Sequence, residues 1–69
     1  VGMTVDAAVT YARSMREEIE RLADDTLVQM LALATTRREA SAARTERTRA
    51  VADSWVAYRA VLTAARECL

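Results

Sequence analysis

No proline occurs in the chain and the only glycine is Gly2, so from Met3 to Leu69 nothing interrupts a helix. β-Branched residues are scattered instead of alternating, which removes the pattern a strand needs. The apolar residues agree. At 100° per residue, Val5, Ala8, Val9, Ala12, Met15, Ile19, Leu22, Ala23, Leu27, Met30, Leu33 and Ala34 fall on one face. Thr4 stands where an N-cap is wanted, and Asp6 follows in the first turn, where negative charge suits the helix dipole. The spacing predicts a first helix over about 4–35.

A second stripe is formed by Val51, Trp55, Tyr58, Leu62, Ala65 and Leu69, with Val61 beside it, at the spacing of a heptad. Carried back, it meets Ala40, Ala43, Arg47 and Ala50, mostly small residues that permit close helix approach. Between the stripes, "ATTRREASAARTERTRA" decides whether the chain is one rod or two helices. Thr36-Arg37-Arg38-Glu39 has the form of a capping box, and paired threonines at 35 and 36 lower the cost of a break. A single straight rod would set the two stripes about a quarter turn apart. Asp24-Asp25-Thr26, and Ser14 with Glu17, offer other caps, but the first stripe crosses both without changing phase. The predicted fold is therefore all-α: one domain, an antiparallel hairpin with a turn at about 35–37 and a second helix over about 38–69. Each helix is about 30 residues and ~45 Å long.

Size limits what such a hairpin can do alone. A chain of 69 residues has little core, and below about 70 to 80 residues a single core rarely supplies more than ~3 to 5 kcal/mol. With one cysteine (Cys68) and no histidine, no disulfide framework, metal or cofactor is expected to supply the rest. Association is. Two helices bury one strip each, and these stripes are wider, so the hairpin is expected to complete a coiled-coil-like four-helix bundle. Its partner is a second copy, as a homodimer, or the helices of another protein. The candidate protein interface comprises Met15, Ile19, Leu22, Leu27, Met30 and Leu33 with Val51, Trp55, Tyr58, Leu62 and Leu69. Trp55 and Tyr58, one turn apart, serve either as its anchor or as intrachain core.

Ten basic and ten acidic residues cancel, so no global field draws the chain to nucleic acid or to an anionic membrane. The one local basic concentration is Arg37, Arg38, Arg44, Arg47 and Arg49. Arg37, Ser41, Arg44 and Thr48 share a helical face that would suit phosphates, which makes a small nucleic-acid-binding regulator the alternative function. Glu39 and Glu46 dilute that band, and no aromatic residue interleaves for base stacking. Glu17, Glu20 and Asp24 crowd one surface, but the bundle di-metal sites need a histidine three residues after a glutamate, so these carboxylates are read as a solvated face. Glu17 with Arg21 and Arg49 with Asp53 are spaced as i, i+4 ion pairs.

Nothing in "VGMT" resembles a secretion signal, and the richest apolar stretch, Leu27 to Ala34, is short and carries Gln29. A cytoplasmic location is expected, or a virion if the source is a phage. All basic residues are arginine and alanine is abundant, which suggests a high-GC bacterium or its phage. Val1 before Gly2 and Met3 fits either a GTG start codon or a cut from a longer chain. The expected role is structural: assembly, adaptor or inhibitor, not enzyme.

Arg16 is the residue out of place, close to the apolar stripe between Ala12 and Ile19, where a charge needs a partner or must snorkel outward. Around it, "MREEIERLADDTLVQMLALATTRREAS" resembles the first helix of the small all-helical chorismate mutases, with Arg16, Ile19 and Leu22 followed by a leucine-rich run. The resemblance implies an inward arginine, Arg16, that grips a substrate carboxylate. An apolar residue stands where that family's second inward arginine belongs, and its later active-site residues have no counterpart. A degenerate mutase-like enzyme is thus the third expectation.

Overall fold

In a computed structural model that describes residues 4–67, the chain forms α1 (Val5–Leu33) and α2 (Arg37–Glu67), packed antiparallel as a hairpin of 52 × 16 × 12 Å. Cys68, and the interface expectation placed on Leu69, lie outside the described residues.

The ends of both helices follow from local chemistry. Thr4 Oγ1 accepts from the Ala7 N–H at 3.1 Å, which opens α1 as its position promised. The helix then runs unbroken past Ser14 and past Asp24-Asp25-Thr26, neither of which caps anything. It stops slightly short of the expected boundary. Ala34 turns extended (φ −68°, ψ 129°) while its N–H still donates to the Leu31 carbonyl at 3.3 Å. Thr36 Oγ1 accepts from the Glu39 N–H at 3.1 Å, the first half of the capping box. The returning half is shifted by one residue: the Glu39 carboxylate accepts from the Thr35 N–H at 3.3 Å and from the Thr35 hydroxyl at 3.2 Å. Reaching past Thr36 gives it two donors where the simple box offers one. Among the described residues no backbone φ is positive, so the turn at 34–36 closes without glycine.

Arg47 meets Asp24 and Arg16 meets Trp55, so facing positions have numbers that add up to about 71. Among the described residues those buried between the helices are all small: Ala43 at 1% exposure, Ser54 at 4% and Ala12 at 8%. Each sits opposite a larger side chain. Ala12 lies by Tyr58, Ser54 by Arg16 and Ala43 by Leu27. Small residues recur every 11 positions, at Ala12 and Ala23 on α1 with Ala34 at its C-cap, and at Ala43, Ser54 and Ala65 on α2. An 11-residue repeat places about 3.67 residues per turn, close to the natural 3.6, so each row runs nearly straight along its helix.

This corrects the second stripe. The expected heptad ran through Trp55, whereas the buried position is Ser54, one residue and 100° away. Close packing decides it, because a large side chain facing another large one would hold the helices apart. The Ser54 hydroxyl donates to the Val51 carbonyl at 2.7 Å, so burying it leaves no polar group unmet. The seam is narrow and tight, and the largest apolar side chains stand beside it.

Candidate functional site

Among the described residues nine large apolar side chains are exposed, and no large side chain is fully buried. Six of the nine, Tyr11, Met15, Ile19, Leu22, Met30 and Leu33, follow one another along a single flank of α1. The first five form one wall of a groove whose other wall is α2. Its larger section, 400 Å³, runs along Ile19, Leu22, Thr26 and Met30 against Ala43, Glu46 and Ala50. A second section of 250 Å³ continues past Ile19 along Met15, Tyr11 and Ala8 against Ala57 and Val61. Alanines on α2 set the groove's depth, because they leave room beside the α1 ridge.

The residues expected to form one interface divide between three places. Met15, Ile19, Leu22 and Met30 wall the groove, and Leu33, 80% exposed, continues their row beyond it. Leu27, Val51, Tyr58 and Leu62 are half-buried at or beside the seam. Trp55 is 40% exposed and turns away from the groove toward Arg16. Tyr11 and Ala57 were missed, and Ala43 and Ala50 were read for close helix approach and not as a groove wall, although the spacing Tyr11, Leu22, Leu33 repeats the same 11-residue interval and was there to be found.

Arg16 has the partner its position demanded. Its guanidinium carbon lies 4.0 Å from the Trp55 ring centroid and 5.7 Å from that of Tyr58, while the two rings meet edge to face at 5.9 Å. Nη1 donates to Glu20 Oε2 at 3.3 Å, and Nη2 lies 4.0 Å from Glu17. Nε is buried without a hydrogen-bond partner, and the side chain is 14% exposed. The arginine ties α1 to the aromatic pair of α2 and is covered by it.

The acidic surface of α1 is also engaged. Arg47 Nε donates to Asp24 Oδ1 at 2.7 Å, and Arg47 Nη2 lies 3.9 Å from Glu20, so Glu20 and Asp24 receive charge from the opposite helix instead of facing only water. The expected Glu17 with Arg21 pair is not made. Arg21 bonds Glu18 on one side and Asp25, at 3.1 Å, on the other, and these two carboxylates leave Glu17 beside Arg16. Arg49 repeats that clamp on α2, with Glu46 at 2.8 Å and the expected Asp53 at 3.1 Å. Hydrogen bonds from Arg21 and Arg49 hold the Glu18 and Glu46 carboxyls below the usual glutamate range.

Of the five arginines in the basic band, Arg47 and Arg49 are thus bound to acids. Arg37, Arg38 and Arg44 make no ion pair among the described residues. Below Arg44 the Thr45 and Thr48 hydroxyls donate to the Ser41 and Arg44 carbonyls. Among the described residues no group of acids, histidines or cysteines is placed to hold a metal ion, and no helix is long and apolar enough to cross a membrane. No protein family, no curated protein and no solved structure matches the chain.

Proposed function

We propose that the chain is a protein-association module, in which a tight small-residue seam makes the hairpin and the ridge of large apolar residues on α1 is left to bind the helices of a partner. The role is assembly, adaptor or inhibitor. One observation carries it: among the described residues nine large apolar side chains are exposed, six of them in one row. The surface area supports it. The chain exposes 5448 Å², where a compact monomer of 7.6 kDa is expected to expose about 4,300 Å². The excess is on the order of the ~800 Å² that each partner contributes to an interface of ordinary size.

Molar mass by light scattering across a dilution series, with far-UV circular dichroism on the same samples, tests it. A helical dimer that loses helix on dilution, or a chain that gains helix and thermal stability on meeting a partner helix, is the expected result. A stable helical monomer that binds no helix would overturn the proposal.

A further inference from the structure

The zero net charge conceals a segregation. Glu39, Glu46 and Asp53 are seven residues apart, so they lie on one row of α2, and Glu46 lines the groove. On the α1 side Glu18 and Asp25 lie four residues before and three after Leu22, on the face that carries the ridge. The cations in these rows are Arg21 and Arg49, each held between two carboxylates. Arg47 and Arg16 also line the groove, Arg47 bound to Asp24 and Arg16 to Glu20 and the Trp55 ring. Five acids against two arginines leave the groove rims at −3, and the other eight arginines and five acids place +3 on the rest of the surface. The exposed apolar groove is therefore flanked on both sides by acid-rich rows.

That combination selects the occupant. A second copy seated on this face would do so about a two-fold axis, which maps the patch onto itself. With the axis along the hairpin, Glu18 and Asp25 of one copy come opposite the Glu46 and Asp53 row of the other. With the axis across it, the α2 row comes opposite itself. Both arrangements set acid against acid beside a desolvated strip, which is costly. An anionic lipid surface meets the same repulsion. An amphipathic helix with basic flanks does not. The ridge from Tyr11 to Leu33 is ~33 Å long, which matches a partner helix of about 22 residues.

We infer that the groove receives an amphipathic helix of another protein, with an apolar stripe at i, i+4, i+7 spacing bordered by lysine or arginine. This rests on the association role proposed above and names its partner class: a basic helix laid between the α1 ridge and the alanines of α2. The acids on the rims steer it, and Leu22 and Met30 hold it.

The test uses two synthetic helical peptides with the same leucine stripe, one flanked by lysines and one by glutamates, titrated into the full chain by calorimetry. The lysine peptide is expected to bind at least about ten-fold more tightly at low salt, with the gap closing as salt rises. Glu46→Gln combined with Asp53→Asn is expected to weaken it several-fold without changing helicity, and Leu22→Asp to abolish it. Equal binding of both peptides would overturn the basic-partner inference and leave the association role standing. So would a dimer that Leu22→Asp makes monomeric and that neither peptide disturbs, because the occupant is then a second copy. Binding to phosphatidylglycerol vesicles that Leu22→Asp removes would overturn it as well. A monomer that binds neither peptide overturns both.

Discussion

Arg16 shows what a single side chain contributes when it sits near a seam built for alanine. Its aliphatic stem fills the space over Ser54, and its charge lies against the faces of Trp55 and Tyr58, with Glu20 closing the far side. Stacking of this kind is worth roughly 0.5 to 2 kcal/mol, and the packed stem adds to it. Arg16→Ala is expected to lower stability by about 2 kcal/mol, a large share for a chain this small, and to uncover Trp55. Thermal unfolding together with a red shift of tryptophan emission checks both effects. Arg16→Met, which keeps most of the stem, is expected to recover much of the stability but not the emission. The sequence made Arg16 visible as an anomaly and could not supply its answer, because Trp55 lies 39 positions away and only the antiparallel fold brings it over the guanidinium. The carboxylate clamps behave differently. Because hydrogen bonds lower the Glu18 and Glu46 pKa values in the folded chain, their stabilisation is complete above the ordinary value of 4.5 and is lost as pH falls through the lowered ones. Stability is therefore expected to decline on acidification from pH 5 toward pH 3, and Arg21→Gln with Arg49→Gln to flatten that decline.

At the scale of the helix, the caps were legible and the seam only in part: Ala12 and Ala43 lay on the expected faces, and Ser54 did not. Thr4 and the Thr36 to Glu39 box declare themselves because a cap is made by residues within four positions of one another. The seam depends on which of several neighbouring rows meets the other helix. Each stripe was broad enough to contain both a row of small residues and a row of large ones. Hydrophobicity favours the large row, whereas close approach favours the small. The choice of Ser54 over Trp55 follows from the partner's shape, which no single helix contains. For the same reason the groove was only half read: Met15, Ile19, Leu22, Met30 and Leu33 were named as interface, Tyr11 was not, and Ala43 and Ala50 were read only as places of close helix approach. The small residues of the seam are expected to tolerate no enlargement. Ala43→Leu places a second leucine opposite Leu27 and is expected to cost about 1 to 3 kcal/mol. Leu33→Ala, on a residue 80% exposed, is expected to leave the isolated chain's melting temperature nearly unchanged and to weaken only partner binding. Melting curves of the two variants, run side by side, separate the surface that folds the chain from the one that serves association.

At the scale of the whole molecule, the link at 34–36 has a consequence of its own. Ala34, Thr35 and Thr36 hold no conformation that an L-residue finds difficult. What stops α1 is the set of bonds that Thr35, Thr36 and Glu39 make with one another. A chain opened at this link would lose those few bonds and leave its own seam open. Two such chains laid antiparallel, each with the link extended, would close both seams with the contacts the hairpin already makes. A helical link would not, because a continuous helix turns Ala34 and Ala43 to opposite faces. Hairpin and exchanged pair are thus two ways of joining the same halves, and the caps act as the latch between them. Thr36→Ala with Glu39→Ala removes the latch and is expected to produce, at high concentration, a dimer that survives Leu22→Asp because the groove takes no part in it. Protein concentration and three polar side chains, more than anything in the buried rows, then determine whether this chain folds on itself or on its neighbour.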